Sequence, residues 1–287
     1  MKRRPLAAWL FLAPALALLA VFSFWPVAFG SWLAFTDYSL IRPTHWVGLD
    51  NFRAIFDNEM FVTGLKNSLL FLLIVPCVQV GALGLAVLVN NRLPGIRLFR
   101  AAFYVPVVTT VSVVGIMWGF MFHEQGALNY VLLAMHLVGA PVGWLSNDTL
   151  ALFSIMFVTL WRGLGWYMVM YLAALQAVPA DMQEAAILDG ATRWQRFWKI
   201  TVPMLRPTIT VCTILSVLAA LKAYQEVDVL TQGGPMNSTF TGLYYAYDQG
   251  LKHLKLPRAL AASFVVSLFC VGIAVLCLRS IKPRSGR

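Results

Sequence analysis

Leu175-Gln-Ala-Val-Pro-Ala-Asp-Met-Gln-Glu-Ala-Ala-Ile-Leu-Asp-Gly-Ala-Thr-Arg-Trp-Gln-Arg-Phe-Trp-Lys-Ile-Thr-Val-Pro-Met-Leu-Arg-Pro207 is a polar interruption in a mostly apolar chain. Asp181 is placed to cap a helix N-terminus, and Glu184, three residues on, completes a capping-box pattern. That helix runs to Asp189 and stops at Gly190, because glycine tolerates the left-handed conformation at a helix C-terminus. A second helix follows, with Trp194, Phe197 and Trp198 at i, i+3 and i+4 forming an aromatic ridge that anchors the segment. Pro203 and Pro207 end it and open the next helix. The outcome is a helix–glycine–helix elbow whose tip, Ala185, Ala186, Gly190 and Ala191, is small-sided. Two readings fit such an elbow. It is a coupling element that another backbone approaches closely, or an amphipathic loop tucked under its own bundle.

Outward from the elbow the chain is built for lipid. Of its 287 residues 60% are hydrophobic and only 12% charged, and its mean hydropathy is +0.74. A soluble domain carries about 25% charged residues. A helix needs about 20 predominantly apolar residues to cross the hydrocarbon. Six stretches meet that requirement: Leu6–Phe29, Asn67–Val89, Ala101–Phe122, Thr149–Leu172, Pro207–Val227 and Ala259–Leu278. The first is longer than the apolar core of a secretory leader and is read as a retained span. The class expected is therefore all-α integral membrane, with six transmembrane helices in a single domain over residues 1–287.

Charge sets the orientation. With the N-terminus inside, the inner segments collect Lys2, Arg3, Arg4, Arg92, Arg97, Arg100, Arg193, Arg196, Lys199, Arg206, Arg279, Lys282, Arg284 and Arg287. Most of the acidic residues fall outside. The positive-inside rule then puts both termini in the cytoplasm. The net charge of +10 is a topology signal, and no nucleic-acid partner is needed to explain it. Outside lie Thr36–Lys66, His123–Asp148 and Asp228–Arg258, and inside lie the Asn90–Arg100 turn and the elbow segment of about 173–206. Ala127–Leu137 is apolar but too short to span, and reads as a helix at the membrane surface.

Several chemistries lack their residues. Cys77, Cys212, Cys270 and Cys277 sit in apolar stretches as small hydrophobes, and no Cys/His spacing supports a disulfide framework or a metal. None of the 20 glycines precedes a lysine, so a phosphate loop of the Gly-x-x-x-x-Gly-Lys type is missing and no cofactor is expected in this chain. A membrane enzyme would need paired carboxylates or a nucleophile with its base at membrane depth.

Ionisable groups inside a bilayer are expensive and mark functional positions. Arg162, with Thr159, Gly163 and Trp166, makes one stripe on the fourth helix. Its hydroxyl, guanidinium, close-approach glycine and aromatic plate suit the hydroxyls and apolar faces of a sugar ring. Thr213 and Ser216 form a smaller polar stripe on the fifth helix, and Lys222 with Glu226 at i, i+4 is a candidate pair. The alternative for each is local: hydroxyls bonded back to their own helix, and Arg162 tying helices together. Gly115 and Gly119 mark close helix packing.

The run Glu184-Ala185-Ala186-x-x-x-Gly190, followed by Ile200 and Pro203, resembles the EAA loop of ABC importer permeases. Leu175-Gln-x-x-Pro179, Asp189-Gly-Ala191, Val47-Gly-Leu-Asp-Asn-Phe52, Gly126-x-Leu-Asn129, Trp144-Leu145 and Thr231-Gln-Gly-Gly-Pro-Met-Asn-Ser-Thr239 extend the likeness to the carbohydrate branch, which handles maltose, glycerol 3-phosphate and multiple sugars. Leu256-Pro257-Arg258 departs from the Gly-Tyr-Ala-like start usual at the last helix. The resemblance implies a type I ABC-importer permease bundle (the MetI-like fold) in the bacterial inner membrane, surrounded by membrane lipid. It implies a second, different permease chain, a dimer of ATP-binding subunits and an extracytoplasmic solute-binding protein as partners, with a sugar or sugar phosphate as substrate. ATP is then bound by the partner subunit, and Glu184, Ala185, Ala186, Asp189, Gly190, Ile200 and Pro203 form the coupling surface. A secondary transporter, driven by a proton or sodium gradient, is the competing reading and would lack the elbow.

Overall fold

A computed structural model describes residues 5–39, 41–90 and 95–281, with side chains from Trp9 to Leu278. Lys2, Arg3, Arg4, Arg92, Lys282, Arg284 and Arg287, which carry much of the orientation argument, lie outside the described residues, as does the side chain of Arg279. Among the described residues the only extended pairing is an isolated bridge between Thr36 and Trp46.

Among the described residues four helices are long and apolar enough to cross a bilayer: Trp9–Leu33, Glu59–Val89, Asp148–Gln176 and Leu256–Leu278. Two bent pairs, Ile96–Val108 with Val111–Met121 and Arg193–Met204 with Arg206–Leu221, bring the count to six when each is taken as one crossing. The first span turns much of its apolar surface outward, with Phe11 and Phe22 among the most exposed side chains. Water would not tolerate such a surface; lipid does.

Three boundaries differ from the sequence expectation. The second span starts at Glu59, ahead of Asn67, because the polar residues Glu59, Thr63 and Lys66 are compatible with helix though not with a hydropathy window. The third is broken at Thr109 and Thr110, both extended, and bends by 104°. β-Branched threonines favour the extended backbone, and the Thr110 hydroxyl caps the restarted helix by accepting from the Val113 N–H. The fifth ends at Leu221, not Val227. Tyr224 leaves the helical conformation before a short helix, Gln225–Leu230. The sixth span opens at Leu256 with Pro257 in its first turn, where the missing N–H is harmless. A short helix is present at Ala127–Ala134, within the stretch Ala127–Leu137.

The chain divides into two compact units, residues 1–62 with 245–265, and residues 63–244 with 266–287. In the first, Phe35 stacks on Trp46 and packs with Phe52 and Phe264. Asn51 donates to the Ala34 and Thr36 carbonyls at 2.9 and 2.8 Å. The Val47–Phe52 motif is thus a clasp that ties the loop to the end of the first span. In the second unit, Val78, Ala82, Ala86 and Val89 recur every third or fourth residue on one face of the second span. They bury against Tyr167, Met168, Tyr171, Leu172 and Leu175 of the fourth. Small residues on one side and large ones on the other let these two helices pack along their length.

Candidate functional site: a membrane cavity and a helix–glycine–helix elbow

Thr159, Arg162, Gly163 and Trp166 line one cavity of about 400 Å³, as their common helical face requires. Val78 of the second span, Val107 of the third, and Ser216 and Ala220 of the fifth wall it, and the broken stretch Lys222–Glu226 closes one end. Thr213 is not in the lining. Its carbonyl accepts from the Ser216 hydroxyl at 2.9 Å. The Thr159 hydroxyl is spent on the Ile155 carbonyl of its own helix at 3.0 Å.

The charges pair differently from their spacing. Lys222 and Glu226 were expected at i, i+4 of one helix, but the break at Ala223–Tyr224 separates them. Glu226 instead accepts from Arg162 at 3.3 Å, joining the fourth span to the Gln225–Leu230 helix. The side chains retain 29% and 12% exposure, so the pair is shielded without being sealed. Lys222 is exposed at the cavity and has no ion-pair partner among the described residues. The Ala223 carbonyl, freed by the break, is taken up by the Thr241 hydroxyl at 2.5 Å. Gly115 does mark close packing, since a Cβ there would meet Val229 at 2.5 Å, whereas Gly119 faces open space.

One residue that sequence reasoning missed organises the floor of this region. Gln79 donates to the Cys212 carbonyl at 3.1 Å and to the Ser216 hydroxyl at 2.8 Å. Its carbonyl oxygen accepts from the Tyr171 hydroxyl. A single amide therefore holds the second, fourth and fifth spans, and all its principal hydrogen-bonding capacity is used. A lone glutamine within an apolar run was the available signal.

The elbow forms as a helix–glycine–helix unit, with different caps from those expected. The first helix is Ala180–Leu188, and Asp181 lies in its first turn without a side-chain cap bond. The acidic residue still complements the helix dipole there. Pro179 occupies the cap position because its fixed backbone suits the entry. Gly190 is left-handed at φ +76°, the Ala191 N–H reaches the Ala186 carbonyl at 2.9 Å, and the Gly190 N–H reaches Ile187 at 3.0 Å. This is the paired closure of a Schellman turn. The capping box is one turn later, at Thr192 and Gln195, which bond reciprocally at 2.9 and 3.3 Å. Gln183 ties the two arms by donating to Thr201 at 3.1 Å.

Glu184, Ala185, Asp189 and Gly190 are exposed, Ala186 is buried, and Ile200 and Pro203 are half-buried. No atom outside its neighbours lies within 4 Å of a Cβ built on Gly190. The aromatic ridge is present, with Phe197 half-buried. Trp194 stacks on Phe197, and Trp198 meets both edge to face, while Trp194 and Trp198 stay exposed. Ile187 and Leu188 are exposed beside them, so the elbow presents an apolar surface to its surroundings.

The model of the binding-protein-dependent transport system inner membrane component matches residues 60–282. The chain belongs to this family. Among its relatives is the lactose transport system permease protein LacF of Rhizobium radiobacter, 34% identical over 96% of this chain and 94% of that protein. The probable ABC transporter permease protein YesP of Bacillus subtilis is 31% identical over 96% and 90%. The sn-glycerol-3-phosphate transport system permease protein UgpA of Yersinia enterocolitica is 28% identical over 96% and 94%. A chain of a bacterial ABC transporter involved in the import of the acidic polysaccharide alginate superposes with a TM-score of 0.84 at 22% identity, covering 99% of this chain and 97% of that one. That likeness establishes the fold. The permease is accordingly a multi-pass transport protein rather than an enzyme.

The permease spends its other motif residues on structure. Asn129 is fully buried. It accepts from the Val142 N–H and the Trp144 indole and donates to the His123, Glu124 and Val142 carbonyls. The Thr231–Thr239 loop is closed by a 2.8 Å contact between those two hydroxyls. Asn67 of the second span holds its far end through the Ser238 and Phe240 carbonyls at 2.6 and 2.8 Å.

Proposed function

We propose that this permease is one transmembrane subunit of a bacterial ATP-driven importer for a sugar or sugar-like solute. The solute class is supported by the lactose and sn-glycerol-3-phosphate systems among its relatives. A cavity that combines Arg162, Glu226, Lys222 and Trp166 suits such a solute, since charged and amide donors take hydroxyls while an indole covers an apolar ring face. The whole chain acts as a single permease domain in the inner membrane, with both termini cytoplasmic. It supplies half of the translocation path, opposite a second permease chain, and receives solute from an extracytoplasmic binding protein.

The observation that carries the reading is the elbow. Its tip is small, exposed and unobstructed around Gly190, yet its two arms are fixed by a Schellman turn, a capping box and the Gln183–Thr201 bond. A rigid projection with an open tip transmits force. ATP bound by a separate dimer of ATP-binding subunits closes that dimer and moves the surface formed by Glu184, Ala185, Ala186, Asp189, Gly190, Ile200 and Pro203. The spans then rock and expose the cavity alternately to either side.

The test is co-purification of the tagged chain with its genomic neighbours, as wild type and as Gly190→Trp. The indole would occupy the open space at the tip in a strained left-handed backbone. Retention of an ATPase and a second permease by wild type, with loss of the ATPase from the variant, supports the reading. Purification of the intact chain alone from membranes containing those proteins would overturn it.

A further inference from the structure

A second cavity, of about 450 Å³, lies between the elbow and the nearby ends of the second and fourth spans. Its polar wall is Asn90, Gln183, Arg193, Arg196 and Thr201, and its apolar wall includes Val87, Leu175 and Val178. Among the described residues, no acidic side chain lines it. Asp181, Glu184 and Asp189, the carboxylates of the elbow, are exposed and lie outside the lining. Neither arginine is in an ion pair among the described residues, and the Nε of Arg196 is buried without an acceptor. Two guanidinium forks, the half-buried Arg196 with a stranded donor and the exposed Arg193 beside it in the lining, fit phosphate oxygens. A free anion would satisfy only the polar half of this cavity, whereas an amphiphile would fill both halves.

We propose that this cavity binds the phosphate headgroup of an anionic phospholipid, with the glycerol and first methylenes against Val87, Leu175 and Val178. The bound lipid ties the elbow to the membrane surface at the root of both its arms. The proposal rests on the reading above only in assigning the elbow to the cytoplasmic leaflet, and basic pockets at such a boundary recognise anionic headgroups.

The test is native mass spectrometry of the full transporter released from phosphatidylcholine vesicles containing phosphatidylglycerol, as wild type, R193Q/R196Q, R193K/R196K and V178F. Wild type should retain one phosphatidylglycerol per copy of this chain. R193Q/R196Q should bind it about 25-fold more weakly, because each cation contributes roughly a fivefold factor near an anionic surface. The lysine pair should fall between them. If R193Q/R196Q fails to assemble, V178F decides, since it narrows the apolar half and leaves both arginines; its occupancy should drop. Equal occupancy in wild type and in the assembled variants overturns the proposal. Excess inorganic phosphate separates the sources: no displacement supports a lipid headgroup, and full displacement with retained phosphate overturns the lipid in favour of a soluble phosphate. Loss of the co-purifying ATPase alone would count against the proposed function, and lipid occupancy would still be read on the isolated chain.

Discussion

Arg162 of the fourth span and Glu226 of the helix after the fifth span meet at 3.3 Å in the lining of the membrane cavity. The contact exists because the fifth helix breaks at Ala223–Tyr224, which turns Glu226 away from Lys222 and towards Arg162. It leaves Lys222 in the lining with no ion-pair partner among the described residues. Removing one member of such a shielded pair strands the other. Glu226→Gln should therefore lower thermal stability by about 1–3 kcal/mol, the cost of an incompletely satisfied charged group, and reduce uptake. The exchange R162E/E226R should recover part of the stability. Failure of the exchange to recover any would mean that Arg162 acts through another partner.

Gln79 bridges three spans, so its loss should be felt away from the cavity as well. In Gln79→Leu the Tyr171 and Ser216 hydroxyls and the Cys212 carbonyl lose their shared partner. Interhelical hydrogen bonds in membranes contribute about 0.6–2 kcal/mol each. A fall in detergent melting corresponding to about 1–3 kcal/mol is expected, with membrane insertion unchanged. Unaltered melting would show that the three helices hold by packing alone.

The fold class was legible in the sequence because apolar length is a direct physical requirement of the bilayer. The breaks within spans were not. A hydropathy window averages over Thr109–Thr110 and over Ala223–Tyr224, where a few backbone torsions redirect whole helices. The stripe Thr159, Arg162, Gly163 and Trp166 was readable since it lies on one unbroken helix. The partners of that stripe depended on tertiary placement, so Arg162 was seen and its bond to Glu226 was missed. Similarly, Gly190 could be recognised from its backbone requirement, whereas Asp181 and Thr192 are equally good caps in isolation. Pro179 takes the cap of the first helix and leaves Asp181 inside its first turn, while Thr192 caps the second helix.

Asn129 supports the surface helix Ala127–Ala134 from within. Asn129→Leu would leave the Val142 N–H and the Trp144 indole without their acceptor in a fully buried position. A loss of about 2–4 kcal/mol is expected, from two stranded donors at about 1–3 kcal/mol each with partial rehydration. Trp144 fluorescence should shift red as the indole gains water. An unchanged emission maximum would mean that the loop holds its shape without this amide.

Tyr245 gives the first unit a signature at alkaline pH. Its phenol is buried and pushed above its usual range by burial, with Arg258 opposing the shift and Asp248 adding to it. The folded state therefore keeps the proton after the unfolded chain has lost it. Stability is fully present below the ordinary tyrosine pKa of about 10 and falls as pH rises through the higher folded value. Tyr245→Phe should flatten that alkaline slope in thermal melts from pH 9 upward. A slope of the same size in both proteins would assign it to other groups.

The reciprocal bonds between Thr192 and Gln195 start the second arm of the elbow within two residues of the left-handed turn at Gly190. Losing this cap frays the arm at its junction with the tip, while the packing of the spans is untouched. Thr192→Ala should cost about 0.5–2 kcal/mol, the usual worth of an N-cap, and the loss should be confined to the elbow. Hydrogen exchange is the measurement, because it resolves local opening from global unfolding. Faster exchange is expected over residues 190–201, with rates in Asp148–Gln176 unchanged. If the elbow transmits force, the same variant should hydrolyse ATP in the assembled transporter with a lower yield of transported solute. Faster exchange with a normal transport-to-hydrolysis ratio would show that the tip works without a rigid second arm, and the coupling surface would then reduce to Ala180–Leu188 and Gly190.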